Sequence, residues 1–134
     1  MNTKLVMTST ALILGIAGIS MTFMPYEILA GIHINPSKPL ELVMQIIGAL
    51  YFAFAMLNWM TKSSLIGGIY NRPVAVANFT HFLIVALAMI KAILATPGLS
   101  AAILAAAILY SIFAILFGII LFRHPIPEIQ NSGK

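Results

Sequence analysis

The polar side chains set within long apolar stretches are the candidates for chemistry here: Glu41, Tyr51, Asn58, Asn78, His81, Lys91 and Tyr110, with Ser111 beside the last. Polar groups in such surroundings are costly to bury and therefore mark functional sites by default. His81 stands out. An imidazole there binds a ligand, carries a proton, or simply donates to a neighbouring hydroxyl such as that of Tyr51. Tyr110 and Ser111 are placed to complete a small polar pocket with it. Asn58 and Asn78 suit an interhelical hydrogen bond or a ligand contact. Glu41 and Lys91 either form a structural ion pair or extend separately to water on their aliphatic stems.

What these residues lack narrows the chemistry. Haem held by two histidines needs a second one at the depth of His81, and neither His33 nor His124 qualifies. There is no HExxH, no carboxylate cluster, no phosphate loop and no nucleophile elbow. The chain has no cysteine, which removes thiol redox and thiolate metal chemistry. Acid–base catalysis by His81 lacks a visible second group. The expectation is a non-enzymatic protein without a cofactor.

The elements that must position these residues are helices in a membrane. Only 7% of the 134 residues are charged, against about 25% in a soluble domain, and the mean hydropathy is +1.05. Most of the surface is therefore expected to face lipid. The net charge of +4 comes from basic residues beside apolar runs, not from one basic face, so nucleic acid is not an expected partner. Four apolar runs reach the roughly 20 residues that a span requires: about 5–24, 40–60, 73–95 and 100–122. Pro25 closes the first; Pro39 and Pro73 suit the first turns of the second and third. Thr96, Pro97 and Gly98 make a turn, and Pro125 and Pro127 stop the fourth. The first run is too long for a signal-peptide core and no small-x-small site follows it, so it is expected to remain as a span.

The fold expected is all-α: one domain over 1–134, an up-and-down bundle of four transmembrane helices. Lys4, Lys62, Arg72, Arg123 and Lys134 fall on one side and Lys38 and Lys91 on the other, which puts both termini in the cytoplasm. Tyr26, Trp59 and Tyr70 sit near the interfaces. The connection from Pro25 to Pro39 is apolar enough to lie on the membrane surface. Ala11, Gly15, Gly18 and Thr22 form a small-residue stripe on the first helix, and Ala107, Ser111, Ala114 and Gly118 form one on the fourth. Ala88, Ala92 and Ala95 give the third a shorter stripe, while Gly48 and Ala55 share a side of the second. Such stripes let helix backbones approach in lipid, within one chain or between copies.

The second and third helices, joined by a short loop, are expected to be antiparallel neighbours. Their polar residues then match in depth: Glu41 with Lys91, Tyr51 with His81 about 12 Å from the inner end at ~1.5 Å per residue, and Asn58 with Asn78. The loop between them carries Gly67 and Gly68.

Gly48-Ala49-Leu50-Tyr51, Gly67-Gly68, Arg72-Pro73, Asn78 and His81 together resemble a pattern in small bacterial four-span membrane proteins of domain-of-unknown-function type. More distantly they are similar to the DoxX-like four-helix proteins. The likeness covers the middle third, from Gln45 to Ala92. It implies a four-helix fold in the bacterial cytoplasmic membrane. DoxX-like proteins are associated with quinone-linked redox complexes, but this chain has no cysteine or histidine pair for such work, so no reaction is carried over. Small multidrug transporters also have four helices. They depend on a glutamate in the first, which is absent here. The leading functional expectation is an accessory or interaction subunit of a membrane protein partner. The alternative is a binder or carrier of a quinone or lipid, in a pocket lined by Tyr51, Asn58, Asn78, His81 and Tyr110.

Overall fold

A computed structural model describes residues 2–63 and 71–122. Gly67, Gly68 and Tyr70 lie outside the described residues, as do Arg123, His124, Pro125, Pro127 and Lys134. The helices are α1 (Thr3–Phe23), α2 (Pro25–Gly31), α3 (Lys38–Thr61), α4 (Arg72–Ala95) and α5 (Ala101–Phe122), and no strand occurs among the described residues. All but α2 are long and apolar enough to cross a membrane, at 21 to 24 residues. That is about 32–36 Å at ~1.5 Å per residue, sufficient for a hydrocarbon core of ~30 Å.

The boundaries have local causes. Asn2 caps α1 by accepting from the Leu5 amide at 3.2 Å. Proline opens the first turn of α2, α3 and α4, where its missing N–H costs nothing. Gly98, at φ 92°, takes the left-handed turn before α5.

The connection after Pro25 begins with a helix. Its period explains this: Pro25 and Leu29 are buried and Ile28 and Ile32 half-buried, while Tyr26, Glu27 and Ala30 face outwards. The helix ends in a Schellman arrangement. The Ile34 amide reaches the Leu29 carbonyl at 2.9 Å and the His33 amide reaches that of Ala30 at 3.0 Å. His33 occupies the left-handed position, φ 62°, where glycine is usual.

The spans form two tight antiparallel hairpins. In the first, α1 packs on α3 through backbone. A Cβ added to Gly18 would lie 2.8 Å from the Gly48 carbonyl oxygen, and one added to Gly48 would lie 2.8 Å from that of Gly18. Thr22 keeps its hydroxyl within α1, donating to the Gly18 carbonyl at 2.8 Å. In the second hairpin, Gly118 of α5 gives room to a ring of α4: a Cβ added there would lie 3.2 Å from the Phe79 ring. Phe82 of α4 stacks on Phe113 and Phe117, with centroids 5.1 and 5.7 Å apart.

Between the hairpins, α3 and α4 meet mainly through longer side chains. The expected neighbours are thus joined at a seam, while each packs its backbone against a different helix. The alanine stripe of α4 is not used inside the bundle: Ala88, Ala92 and Ala95 are all exposed. Trp59 lies near the end of the bundle opposite α2, with the Lys62 ammonium 2.9 Å over its ring, an arrangement suited to a membrane interface.

Candidate functional site

The seam between the hairpins changes character along its length. At the end away from α2, Asn58 and Asn78 are fully buried and exchange amide hydrogen bonds of 2.8 and 2.9 Å. Asn78 also donates to the Val74 carbonyl at 2.9 Å. The paired amides occupy each other and so fasten α3 to α4.

One to two turns further along lies an aromatic cluster centred on His81. Its ring stacks on Phe54 at 5.1 Å and meets Tyr51 edge-on at 5.4 Å, with Phe82 at 5.2 Å and Tyr110 at 5.7 Å. The depth match of Tyr51 with His81 therefore yields a contact. It is a contact of rings, not a hydrogen bond. The Tyr51 hydroxyl instead accepts from the Tyr110 hydroxyl at 2.7 Å, and His81 Nε2 is buried without a hydrogen-bond partner among the described residues. An unpaired buried ring nitrogen is costly, by about 1–3 kcal/mol. Ser111 does not join the cluster: its hydroxyl donates to the Ala107 carbonyl of its own helix at 2.7 Å.

Beyond the tyrosine pair, towards α2, the seam opens into a partly open cleft of about 330 Å³. Leu14, Ala17 and Met21 of α1 form one wall, and Ala102, Ala106 and Leu109 of α5 form the other. Ile28 and Ile32 of α2 close the end, Met89 reaches in from α4, and Tyr51 and Tyr110 bound the cleft on the side of the aromatic cluster. The volume falls at the small end of the ~300–1,000 Å³ typical of ligand sites. Every other lining residue is apolar. Tyr51 and Tyr110 are the lining residues that carry a polar side-chain group, and a few polar groups in an otherwise apolar site can orient a ligand.

Of the two alternatives for Glu41 and Lys91, an ion pair or separate extension to water, the ion pair is not formed. Glu41 accepts from Lys38, one turn earlier on α3, at 3.0 Å, while Lys91 is exposed on α4. Depth along antiparallel helices does not set lateral distance, and a partner at i−3 on the same helix is within reach without any packing at all.

Of the sequence-derived candidates, Tyr51, His81 and Tyr110 come together, Asn58 and Asn78 pair separately, and Glu41 and Lys91 lie apart from the site. The cleft itself was not anticipated. The spacing of Ile28 and Ile32 would have indicated that α2 turns an apolar face inwards, but Met21, Met89, Ala17 and Ala106 carry no signal that separates them from ordinary packing residues. No family model, no curated protein and no solved structure matches this chain.

Proposed function

We propose that this protein binds a small lipophilic molecule, of quinone or lipid type, in the cleft between α1, α2, α4 and α5. The observation that carries this reading is an apolar cleft of about 330 Å³ bounded at one side by Tyr51 and Tyr110, whose hydroxyls are hydrogen-bonded to each other. Hydrocarbon tails have no reason to leave the bilayer for a merely apolar space, since lipid is equally apolar. A polar terminus inside such a space supplies the difference. Binding or carriage, not catalysis, is favoured by His81, whose Nε2 has no hydrogen-bonded acid or base beside it among the described residues. The protein is read as lying in a bacterial cytoplasmic membrane with both termini inside. The weight of Lys4, Lys62 and Arg72 over Lys38 and Lys91 supports that orientation.

The test is mass spectrometry of protein purified in mild detergent, beside an Ala106→Phe variant that fills the cleft from α5 and a His81→Ala variant. A specific small molecule carried by the wild type and lost from Ala106→Phe is the expected result; loss from His81→Ala as well would extend the site into the aromatic cluster. An identical set of bound lipids in wild type and Ala106→Phe would refute the reading.

A second reading, an accessory subunit of a membrane complex, is favoured by the uncovered stripe of Ala88, Ala92 and Ala95 on α4. Small residues at that spacing admit close approach by another helix. Its signature is a protein partner retained by wild type and by Ala106→Phe but lost from Ala92→Leu.

A further inference from the structure

We infer that the cleft selects a neutral lipophile that ends in a hydrogen-bond acceptor, a carbonyl, ether or similar oxygen, and that it excludes anionic lipids. The ligand class follows only if the cleft binds a lipophile at all, as proposed above. Two observations carry it.

The first is proton counting at the tyrosine pair. Two hydroxyls bring two protons, and the single bond between them, 2.7 Å from Tyr110 to Tyr51, uses one. Whichever ring donates, one O–H remains. Among the described residues no second hydrogen bond is made by either hydroxyl, and the nearby His81 Nε2 is itself without a partner. Both tyrosines line the cleft. A phenolic O–H left over in a low-dielectric site gains most from an acceptor delivered by the ligand. A ligand offering only donors would not answer it.

The second is charge. No Lys, Arg, Asp or Glu is among the residues lining the cleft. The ionic groups at this end of α3, Lys38 and Glu41, neutralise one another at 3.0 Å. An anionic headgroup drawn down to the tyrosines would be desolvated without a counter-charge, which costs far more than two hydroxyls return. A neutral oxygen escapes that penalty.

The experiment compares three probes of similar size on protein in lipid nanodiscs. They are nonyl methyl ketone, the hydrocarbon in which C=CH2 replaces its C=O, and decanoate. Each is titrated against wild type, the double variant Tyr51→Phe/Tyr110→Phe, and Ala106→Phe. Wild type should hold the ketone about tenfold more tightly than the hydrocarbon, the scale of one net hydrogen bond, and decanoate least. The double variant should bind ketone and hydrocarbon alike, at the wild-type hydrocarbon level, which also shows that it is folded. Equal affinity of wild type for ketone and hydrocarbon, a ketone preference that survives in the double variant, or tightest binding of decanoate would each overturn the acceptor rule while leaving the lipophile site standing. Binding of all three probes undiminished by Ala106→Phe would remove the site itself, and both proposals with it.

Discussion

Two glycines on one face of α1 should respond oppositely to the same substitution. At Gly18 an added Cβ would sit 2.7 Å from the Phe52 amide nitrogen and 2.8 Å from the Gly48 carbonyl oxygen. Both are backbone atoms and cannot swing aside, so Gly18→Ala must push α1 away from α3. At Gly15 the new methyl would meet only the Ala55 Cβ, at 3.6 Å, an ordinary contact. Alanine improves helix propensity at either site by about 1 kcal/mol in water. That term cancels when the two variants are compared, whatever it amounts to in lipid. The difference between them is therefore the overpacking cost alone, about 1–3 kcal/mol. Reversible unfolding in mixed dodecyl maltoside and SDS micelles, followed by far-UV circular dichroism, measures it. Gly18→Ala should unfold at lower SDS fraction than wild type and Gly15→Ala at the same or higher. Matching transitions for the two variants would mean that α1 and α3 do not meet at Gly18 and Gly48 as described. The consequence reaches the site, because the same contact sets the position of Ala17 and Met21 opposite Tyr51.

Two further substitutions probe the seam. Asn58→Leu or Asn78→Leu alone should cost about 1–3 kcal/mol by stranding the other amide, and the double variant should recover much of the loss; a double-mutant cycle in the same micelles that shows no coupling would deny the pair. His81→Phe should stabilise ligand-free protein by about 1–3 kcal/mol, because it removes an unpaired buried nitrogen from an aromatic cluster that accepts a ring. A lower transition for His81→Phe would mean that Nε2 has a partner in the membrane, and would move His81 from the edge of the site to its centre.

The spans were legible because length, hydropathy and the prolines at 25, 39 and 73 act locally: each described boundary falls within two residues of the reading from sequence. Depth was legible too. A short connection between antiparallel helices fixes which residues share a level, and so Asn58 with Asn78 and Tyr51 with His81 were paired in advance. Lateral arrangement was not, because it depends on how far apart the axes lie and which way each helix is turned. Glu41 shares a level with Lys91 but bonds Lys38. Tyr51 touches His81, but its hydroxyl accepts from Tyr110, 59 positions away and on a helix whose rotation no local pattern reveals. The small-residue stripes show the same limit. Gly18 and Gly48 permit close approach and achieve it, whereas Ala88, Ala92 and Ala95 permit it and remain uncovered. A stripe states what a helix tolerates, not what it meets.

The opening of the cleft at one end of the seam follows from how the two hairpins are joined. Each hairpin is tight within itself, the first through glycine backbone contact and the second through Phe82 lodged against Phe113 and Phe117. Across the seam, the bonds are made by side chains: the amide pair at the end away from α2 and the tyrosine pair beyond the His81 cluster. Past Tyr51 and Tyr110 no hydrogen bond joins the hairpins among the described residues, and the lining is alanine, methionine and aliphatic side chains. Alanines at 17, 102 and 106 leave room, and methionines at 21 and 89 can reshape it. Filling that end with leucine would have been the simpler way to build a stable bundle. Keeping it open beside two tyrosines sacrifices packing, which is the pattern expected where a site and a core compete for the same residues.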